Sequence, residues 1–240
     1  MSKTAATGKI SRKSIDTIFN ALKGAMAVKC EELLFDDFGI SGRAIETNIL
    51  IIQPLPDIFE FEALGIGRIP DLHSRMKLVI DDDTLTGSYT ESREGIVGML
   101  TFKTKKTKIE FRCKDPKLIK TRKNFNDPII MTFNLNADAI RFMTTGSAAM
   151  KSKSVAFKMS EGKVFLRLID SEGDILDHLI TEDVDVVPEF EDEEVSFSYE
   201  MPKLAPLLNA HRENTTVNIS KRGIMNLSSE GFNIYLVADF

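Results

Sequence analysis

The sequence predicts an α+β protein built from two similar domains, and three observations lead to that prediction. Most of the chain consists of short stretches with the apolar pattern of β-strands, separated by turn residues such as Glu161-Gly162 and Glu172-Gly173. Four segments have the spacing of short amphipathic helices instead. The two halves of the chain also resemble each other, which indicates an internal duplication.

The four predicted helices cover residues 11–22, 69–78, 137–145 and 202–210. The first has an apolar stripe at i, i+3, i+4 and i+7, formed by Ile15, Ile18, Phe19 and Leu22. Ser11 or Ser14 could cap its start, and Asn136 is the predicted cap of the third helix. Pro70 suits the first turn of the second helix, whereas Pro206 leaves the start of the fourth ambiguous.

Short apolar or alternating runs predict the strands. They are residues 26–30, 46–52, 95–102, 108–113, 129–135, 154–159, 163–169, 195–199, 216–219 and 233–237. Residues 14–19 parallel residues 137–142, and the segment from Phe59 to Leu72 parallels the segment from Val195 to Leu207. We therefore predict an N-terminal domain over 1–115 and a C-terminal domain over 129–240. Residues 116–128, rich in Pro, Asn and Lys, are the predicted connector.

Composition limits the possible functions. The chain has 240 residues, of which 42% are apolar and 28% charged, as in ordinary globular proteins. The net charge of −5 argues against a broadly basic nucleic-acid binder, so any DNA-binding surface must be local. No apolar run approaches the ~20 residues of a membrane span, and the N-terminus lacks the apolar core of a secretory signal. These features predict a cytoplasmic protein, or a nuclear one if the host has a nucleus, without a membrane partner.

No motif predicts a catalytic, metal or cofactor site. Gly65-Ile66-Gly67 lacks the third glycine and the helix of a dinucleotide loop. Asp81-Asp82-Asp83 lacks the spacing of a calcium loop, and the three histidines have no suitably spaced nucleophile. Cys30 and Cys113 show no metal-ligand spacing, so we expect two reduced packing residues.

The C-terminal half carries the features that indicate a family. They are Val195-Ser196-Phe197-Ser198-Tyr199, the helix with Leu204, Leu207 and Leu208, and the closing strand and tail from Asn233 to Phe240. This pattern resembles the DNA sliding clamps of the proliferating cell nuclear antigen class, and especially the shorter clamps of T-even-type phages. The resemblance implies a clamp fold in which each domain packs two helices on antiparallel sheets. It also implies a homotrimeric ring with the helices on its inner wall.

In such a ring, the inner helices would hold the phosphates of double-stranded DNA without reading its sequence. The four helical segments 9–24, 66–78, 137–153 and 201–214 together carry a net charge of +8, which leaves −13 for the rest of the chain. The predicted DNA-binding residues are Lys9, Arg12, Lys13, Lys23, Arg68, Arg75, Lys77, Arg141, Lys151, Lys153, Lys203 and Arg212. Ordinary solvated helix faces are the alternative interpretation.

The family resemblance also implies two protein contacts. A strand of the first domain would pair with a strand of the next subunit's second domain, through Lys108, Ile109, Phe111, Arg112, Ile175, Leu176 and Leu179. We hypothesise that the ten Lys and Arg residues of 103–123 then face the eight acidic residues of 181–194; the alternative is that both runs are merely solvated. A partner-peptide pocket would draw on Phe38, Ile40, Leu118, Ile119, Val237 and Ala238, with packing inside the monomer as the alternative.

We therefore predict a non-enzymatic polymerase processivity factor in a virus- or phage-infected cell. Its expected partners are double-stranded DNA, a DNA polymerase, a clamp loader ATPase and further copies of itself. A β-rich viral structural protein without a DNA role is one alternative. A clamp-fold processivity factor that binds DNA as a monomer is another.

Overall fold

A computed structural model describes residues 6–44, 49–53, 59–120, 127–190, 194–210, 215–229 and 232–238. The chain forms two compact units. The first comprises residues 1–46 and 50–123, and the second comprises residues 47–49 and 124–240. The change from the first unit to the second falls inside the predicted connector, of which residues 121–126 lie outside the described part of the chain.

The first unit packs two helices against a mainly antiparallel sheet. Its elements are β1 (Thr7–Ile10), α1 (Arg12–Ala27), β2 (Leu33–Asp36), β3 (Gly39–Ala44), β4 (Ile49–Gln53), β5 (Ala63–Ile66), α2 (Ile69–Met76), β6 (Thr86–Arg93), β7 (Ile96–Lys103) and β8 (Lys108–Arg112). The strand order is β1-β6-β7-β5-β2-β3-β4, and β8 also pairs with β7. The β5–β7 pairing is parallel, while the pairings of β1, β2 and β8 are antiparallel.

Helix α1 begins where the sequence predicts and ends later. Ser11 caps it by accepting a hydrogen bond from the Ser14 backbone N–H at 3.1 Å. The predicted strand at 26–30 is wrong, because Met26 and Ala27 form the last helical turn. The Cys30 N–H then donates to the Ala25 carbonyl at 2.8 Å. A five-residue apolar run cannot distinguish a strand from the buried end of a helix.

The second unit contains two antiparallel sheets and two helices. Its elements are β9 (Ile129–Leu135), α3 (Ala137–Met150), β10 (Ser154–Ser160), β11 (Lys163–Ile169), β12 (Ile175–Thr181), β13 (Val184–Val186), β14 (Val195–Glu200), α4 (Met201–Ala210), β15 (Thr215–Ser220), β16 (Ile224–Ser229) and β17 (Phe232–Val237). One sheet contains β17-β16-β15-β9-β13, and the other contains β12-β11-β10-β14.

Both helices of the second unit follow directly from a strand. The Asn136 side chain caps α3 by accepting from the Ala139 N–H at 2.8 Å. Helix α4 keeps Pro206 in its interior, and buries a leucine face formed by Leu204, Leu207 and Leu208. Below it, the fully buried Tyr199 donates its hydroxyl to the Gly223 carbonyl at 3.1 Å. Burial of apolar side chains thus fixes α4 although proline removes one backbone donor.

The two cysteines are free thiols, as predicted. Burial raises the pKa of Cys30 to about 11 and that of Cys113 to about 12. Both side chains are therefore protonated packing groups at neutral pH.

Candidate functional site

Helix α1 presents two exposed lysines, Lys13 and Lys23, on the face opposite its buried apolar stripe. Neither has an ion pair with a described residue, and the exposed Lys9 on β1 likewise has none. Arg12 differs, because its Nε donates to Asp16 Oδ1 at 3.1 Å and its guanidinium also donates to the Ile80 and Asp82 carbonyls. Arg12 therefore links α1 to the segment that follows α2.

The predicted cations around α2 likewise include one arginine that contacts its own unit and two exposed side chains. Arg68 precedes the helix in a left-handed conformation with φ 53°, and its guanidinium carbon lies 4.8 Å from the centre of the Phe111 ring. Arg75 and Lys77 are exposed, without an ion pair to any described side chain. Burial, followed by the positive charges of Lys77 and Lys23, lowers the pKa of His73 on α2.

The second unit supplies fewer available cations. Arg141 on α3 pairs with Asp138 at 3.0 Å, and Lys203 on α4 pairs with Glu200 at 3.0 Å. Lys151 caps α3 in a left-handed conformation, and the exposed Lys153 follows it. Arg212 lies outside the described residues. Of the eleven described cations of the predicted DNA surface, seven belong to the first unit, so the positive charge is concentrated on α1 and α2.

Strand β8, which holds four of the predicted interface residues, lies at a sheet edge. Its described pairing partner is β7, from Lys103↔Lys108 to Met99↔Arg112. The side chains alternate, so Ile109 and Phe111 are buried in the core while Lys108 and Arg112 are exposed. An edge strand exposes backbone N–H and C=O groups that another strand can pair with.

Strand β12, which holds the other three, is an edge strand of the second unit. It pairs with β11, from Ile169↔Ile175 to Val164↔Thr181. Ile175 is 57% exposed and Leu179 is 41% exposed, while Leu176 is half-buried. Arg167 clamps Asp177 with two hydrogen bonds of 2.7 Å, which holds β12 on β11. Apolar side chains at an unpaired edge are typical of a surface that another chain covers.

The residues of the predicted peptide pocket have different environments. In the first unit, Phe38 is 61% exposed in the β2–β3 turn, and Leu118 is 66% exposed at the end of the 3₁₀ helix Pro116–Leu118. Ile40 is fully buried in β3, and Ile119 is buried against Gly65. Phe38 and Leu118 are therefore the residues of that unit that a peptide could contact directly.

The second unit contributes the remaining two predicted pocket residues. Val237 at the end of β17 is half-buried. Ala238 is buried, and its N–H donates to the Gly223 carbonyl at 2.9 Å. Ala238 consequently serves packing within its own unit.

Two features of the surface have no counterpart in the sequence-based predictions. Leu78, just after α2, is 78% exposed. In the second unit, an open cavity of about 460 Å³ lies between α3 and β12, where the rings of Phe142 and His178 stack with centroids 3.7 Å apart. Leu78 lies in the segment Met76–Ile80, which is apolar except for Lys77, and sequence periodicity could not show that Leu78 points away from the core.

The described residues contain no helix long and apolar enough to cross a membrane. They also contain no group of three His, Cys, Asp or Glu side chains placed to hold a metal ion.

Comparison with solved structures defines the class of fold. The proliferating cell nuclear antigen (PCNA) of Entamoeba histolytica is 12% identical and superposes with a TM-score of 0.67, over 99% of this chain and 100% of that one. The PCNA of A. fulgidus, solved with the C-terminal region of FEN-1 bound, is 13% identical, with a TM-score of 0.64 over 98% of each chain. A clamp subunit from the PCNA2–PCNA3 complex of Sulfolobus tokodaii is 12% identical, with a TM-score of 0.60 over 97% of this chain and 99% of that one. No protein-family model and no curated protein sequence matches the chain.

The chain is thus an α+β protein of the two-domain clamp architecture, with four α-helices in its described parts. Its fold is that of the PCNA sliding clamps, and the match extends over nearly the whole length. The predicted fold class is confirmed.

Proposed function

We propose that this protein is a sliding clamp that forms a closed homotrimeric ring around double-stranded DNA and tethers a DNA polymerase to it. The observation that carries the proposal is the match to PCNA over 97–99% of the chain, with TM-scores of 0.60 to 0.67. A fold alone does not determine function, so the surfaces that a clamp requires must also be present.

The charge distribution supports a DNA-facing role for the helices. The chain as a whole is negative, yet α1 and α2 present Lys13, Lys23, Arg75 and Lys77 to solvent. Long flexible cations without ion pairs to described residues suit phosphate contacts that can be made and broken as the protein slides. The predicted DNA-binding residues are all lysines and arginines, which contact phosphates, so we expect binding to be independent of sequence.

Two unlike sheet edges support assembly by rotation. At each contact one chain contributes β8 and its neighbour contributes β12, so two different surfaces meet. The ring closes only when the repeated rotation from one subunit to the next returns to the first subunit. Charge favours this arrangement. Residues 103–120 contain eight Lys or Arg and two acidic residues, a net charge of +6. Residues 174–185 contain five acidic residues and no Lys or Arg, a net charge of −5. Opposite charges would accelerate association and fix the register.

The proposed partners of the ring are a DNA polymerase and a clamp loader ATPase. The exposed side chains of Phe38 and Leu118, with the half-buried Val237, are the proposed anchors for a partner peptide. The sequence has no phosphate-binding loop, so energy for opening the ring would come from the loader. We place this activity in the cytoplasm of a phage- or virus-infected cell, on the resemblance of the C-terminal half to T-even-type clamps.

The test combines mass and topology. Sedimentation equilibrium should give a particle of three times 26.9 kDa. After loading, the ring should remain on circular duplex DNA and slide off linear duplex of the same sequence, because only the linear form has ends. Equal retention on both forms would contradict a topological clamp. A monomer that binds both forms weakly would instead identify a clamp-fold factor that works without closing.

A further inference from the structure

Arg12 stands at the start of α1, and each of its three guanidinium nitrogens donates a hydrogen bond. Nε donates to Asp16 Oδ1 at 3.1 Å, Nη1 donates to the Asp82 carbonyl at 3.2 Å, and Nη2 donates to the Ile80 carbonyl. The pair with Asp16 lies within one helix, and both side chains are 46% exposed, so this pair alone adds little stability. The carbonyl contacts span 68 and 70 positions of the chain. They therefore hold the start of α1 against a different part of the first unit.

The two carbonyls belong to an ordered turn that follows α2. The Ile80 N–H donates to the Met76 carbonyl at 2.9 Å, and the Asp82 N–H donates to the Val79 carbonyl at 3.1 Å. The Asp82 carboxylate also accepts from the backbone N–H and the hydroxyl of Thr84, at 2.8 and 2.6 Å. Because these bonds fix the shape of the turn, the guanidinium is anchored to a rigid partner at the C-terminal end of α2.

Two exposed lysines stand on either side of this link. Lys13 follows Arg12 on α1, and Lys77 is the C-cap residue of α2, three residues before Ile80. Both lysine side chains are exposed, and neither has an ion pair with a described residue. They belong to the predicted DNA surface, in which each lysine would neutralise a phosphate. The separation of these two charges depends on how the start of α1 is held against the end of α2, and Arg12 makes that connection.

We propose that Arg12 is a positioning residue of the DNA surface, which fixes the separation of Lys13 and Lys77 and does not itself bind a phosphate. This proposal rests on the proposed function, since it concerns the same DNA contacts. To reach a phosphate, the guanidinium would have to leave two backbone carbonyls, and an acceptor that loses a donor in a part-buried site costs free energy. The two lysines have no ion pairs with described residues to give up, so they are suited to phosphates.

Exchange of Arg12 for lysine separates the two possible roles. The arginine fork carries five N–H donors in fixed directions, so one side chain can reach three acceptors on separate residues. A lysine ammonium keeps the positive charge and still binds a phosphate, but it is a compact point charge that cannot reproduce the fork. A direct phosphate contact would therefore survive Arg12→Lys, whereas the positioning role would not.

The test measures binding of the full-length chain to short linear duplex DNA by fluorescence anisotropy over a series of salt concentrations. Arg12→Lys should weaken binding roughly tenfold, because fewer molecules hold the two lysines at the separation that DNA requires. The slope of log affinity against log salt should stay at the wild-type value, since the bound complex makes the same phosphate contacts. Lys13→Gln is the matched control, and it should lower that slope by about one.

Amide hydrogen exchange provides the structural readout. The N–H groups of residues 80–85 should exchange faster in Arg12→Lys than in the wild type, and Lys13→Gln should leave their exchange unchanged. Urea unfolding checks that each variant is folded under the conditions of the binding experiment, so that lost affinity cannot come from unfolded chains.

Wild-type affinity in Arg12→Lys would overturn the positioning role, whether or not the variant is less stable. A slope lowered by about one in Arg12→Gln would assign a phosphate contact to Arg12 and would overturn the proposal as well. A wild-type chain that does not bind duplex DNA at all would instead contradict the proposed function.

Discussion

The His73 imidazole stacks on the Phe19 ring, with centroids 5.1 Å apart and planes inclined by 11°. Only 6% of His73 is exposed, and its Nε2 has no hydrogen-bond partner among the described residues. This contact joins α2 to α1, the two helices that carry most of the exposed predicted cations. Protonating that ring would place a charge in an apolar site beside Lys23 and Lys77.

Stability should therefore depend on the charge state of His73. Burial, followed by Lys77 and Lys23, lowers the pKa of His73 below its ordinary value of 6.5. The unfolded chain then binds more protons than the folded one. The contribution of His73 to the free energy of unfolding should be fully present above pH 6.5. It should be lost as pH falls through the lower pKa of the folded state. Urea unfolding between pH 8 and pH 5 measures this dependence.

His73→Leu should flatten this part of the profile, because the substituted side chain cannot be protonated. An unaltered profile in the His73 variant would assign the pH dependence to other groups.

Two turn glycines allow conformational strain to be separated from crowding. Gly162 has φ +68° and no atom within 4 Å of an added Cβ, whereas Gly223 has φ +69° and would bring its Cβ to 2.7 Å from Ala238 and Phe197. Gly162→Ala should lower the free energy of unfolding by about 1 kcal/mol through strain alone. Gly223→Ala should cost roughly 1–3 kcal/mol more, because the core must shift. Equal effects of the two substitutions in urea unfolding would contradict the crowding at Gly223.

The predicted DNA surface is tested by reversing charge where the fold does not depend on it. Lys13→Glu with Lys23→Glu should leave the oligomeric state intact and weaken binding to short linear duplex. The slope of log affinity against log salt should fall by about one for each lysine that no longer neutralises a phosphate. Lys29→Glu with Lys221→Glu makes the same charge change at exposed positions outside the four α-helices and outside residues 103–120, so it should bind like the wild type. Equal effects of the two pairs would indicate only the net charge of the protein.

The proposed β8–β12 junction predicts that salt opposes assembly. Ions screen attraction between exposed charges over ~8–10 Å at 0.1–0.15 M, so the trimer dissociation constant should rise as sodium chloride is raised from 0.05 to 0.5 M. Sedimentation equilibrium across this series provides the measurement. A dissociation constant that does not change with salt would contradict the attraction between the two charged segments.

Most of the regular structure could be predicted because its signals are local. The strand 163–169 was predicted at its observed bounds, and Ser11 and Asn136 were identified as caps from their side chains and position. The turn at Glu161-Gly162 has two successive positive φ angles, 53° at Glu161 and 68° at Gly162, as a two-residue hairpin turn requires. Glycine adopts such an angle without strain. In each case neighbouring residues determine the conformation.

The missed elements depend on partners distant in sequence. β3 contains two glycines, and β6, with the sequence TGSYTESR, is largely polar, so neither has the pattern of a strand on its own. Their neighbours in the sheet supply the hydrogen bonds and the burial.

The sequence shows which residues of the candidate surface carry charge, but not which contacts they make. The abundance of cations near the helices was visible in the sequence. The use of Arg12 to bind the Ile80 and Asp82 carbonyls was not, because residue 12 and residue 82 meet only in the folded unit. The same limit applies to Ile40, whose complete burial separates it from the exposed Phe38 two residues earlier.

The two open edges also determine how a defective copy would act in a mixture. A chain whose β12 edge is blocked keeps its β8 edge, so it can still join a normal neighbour through one side. It then terminates the growing assembly, much as a monofunctional reagent stops a polymer. In the proposed ring, every closed trimer needs three intact junctions. A modest excess of such copies would therefore prevent the normal subunits from forming closed rings. Genetic inactivation of a single edge is therefore expected to be dominant rather than recessive.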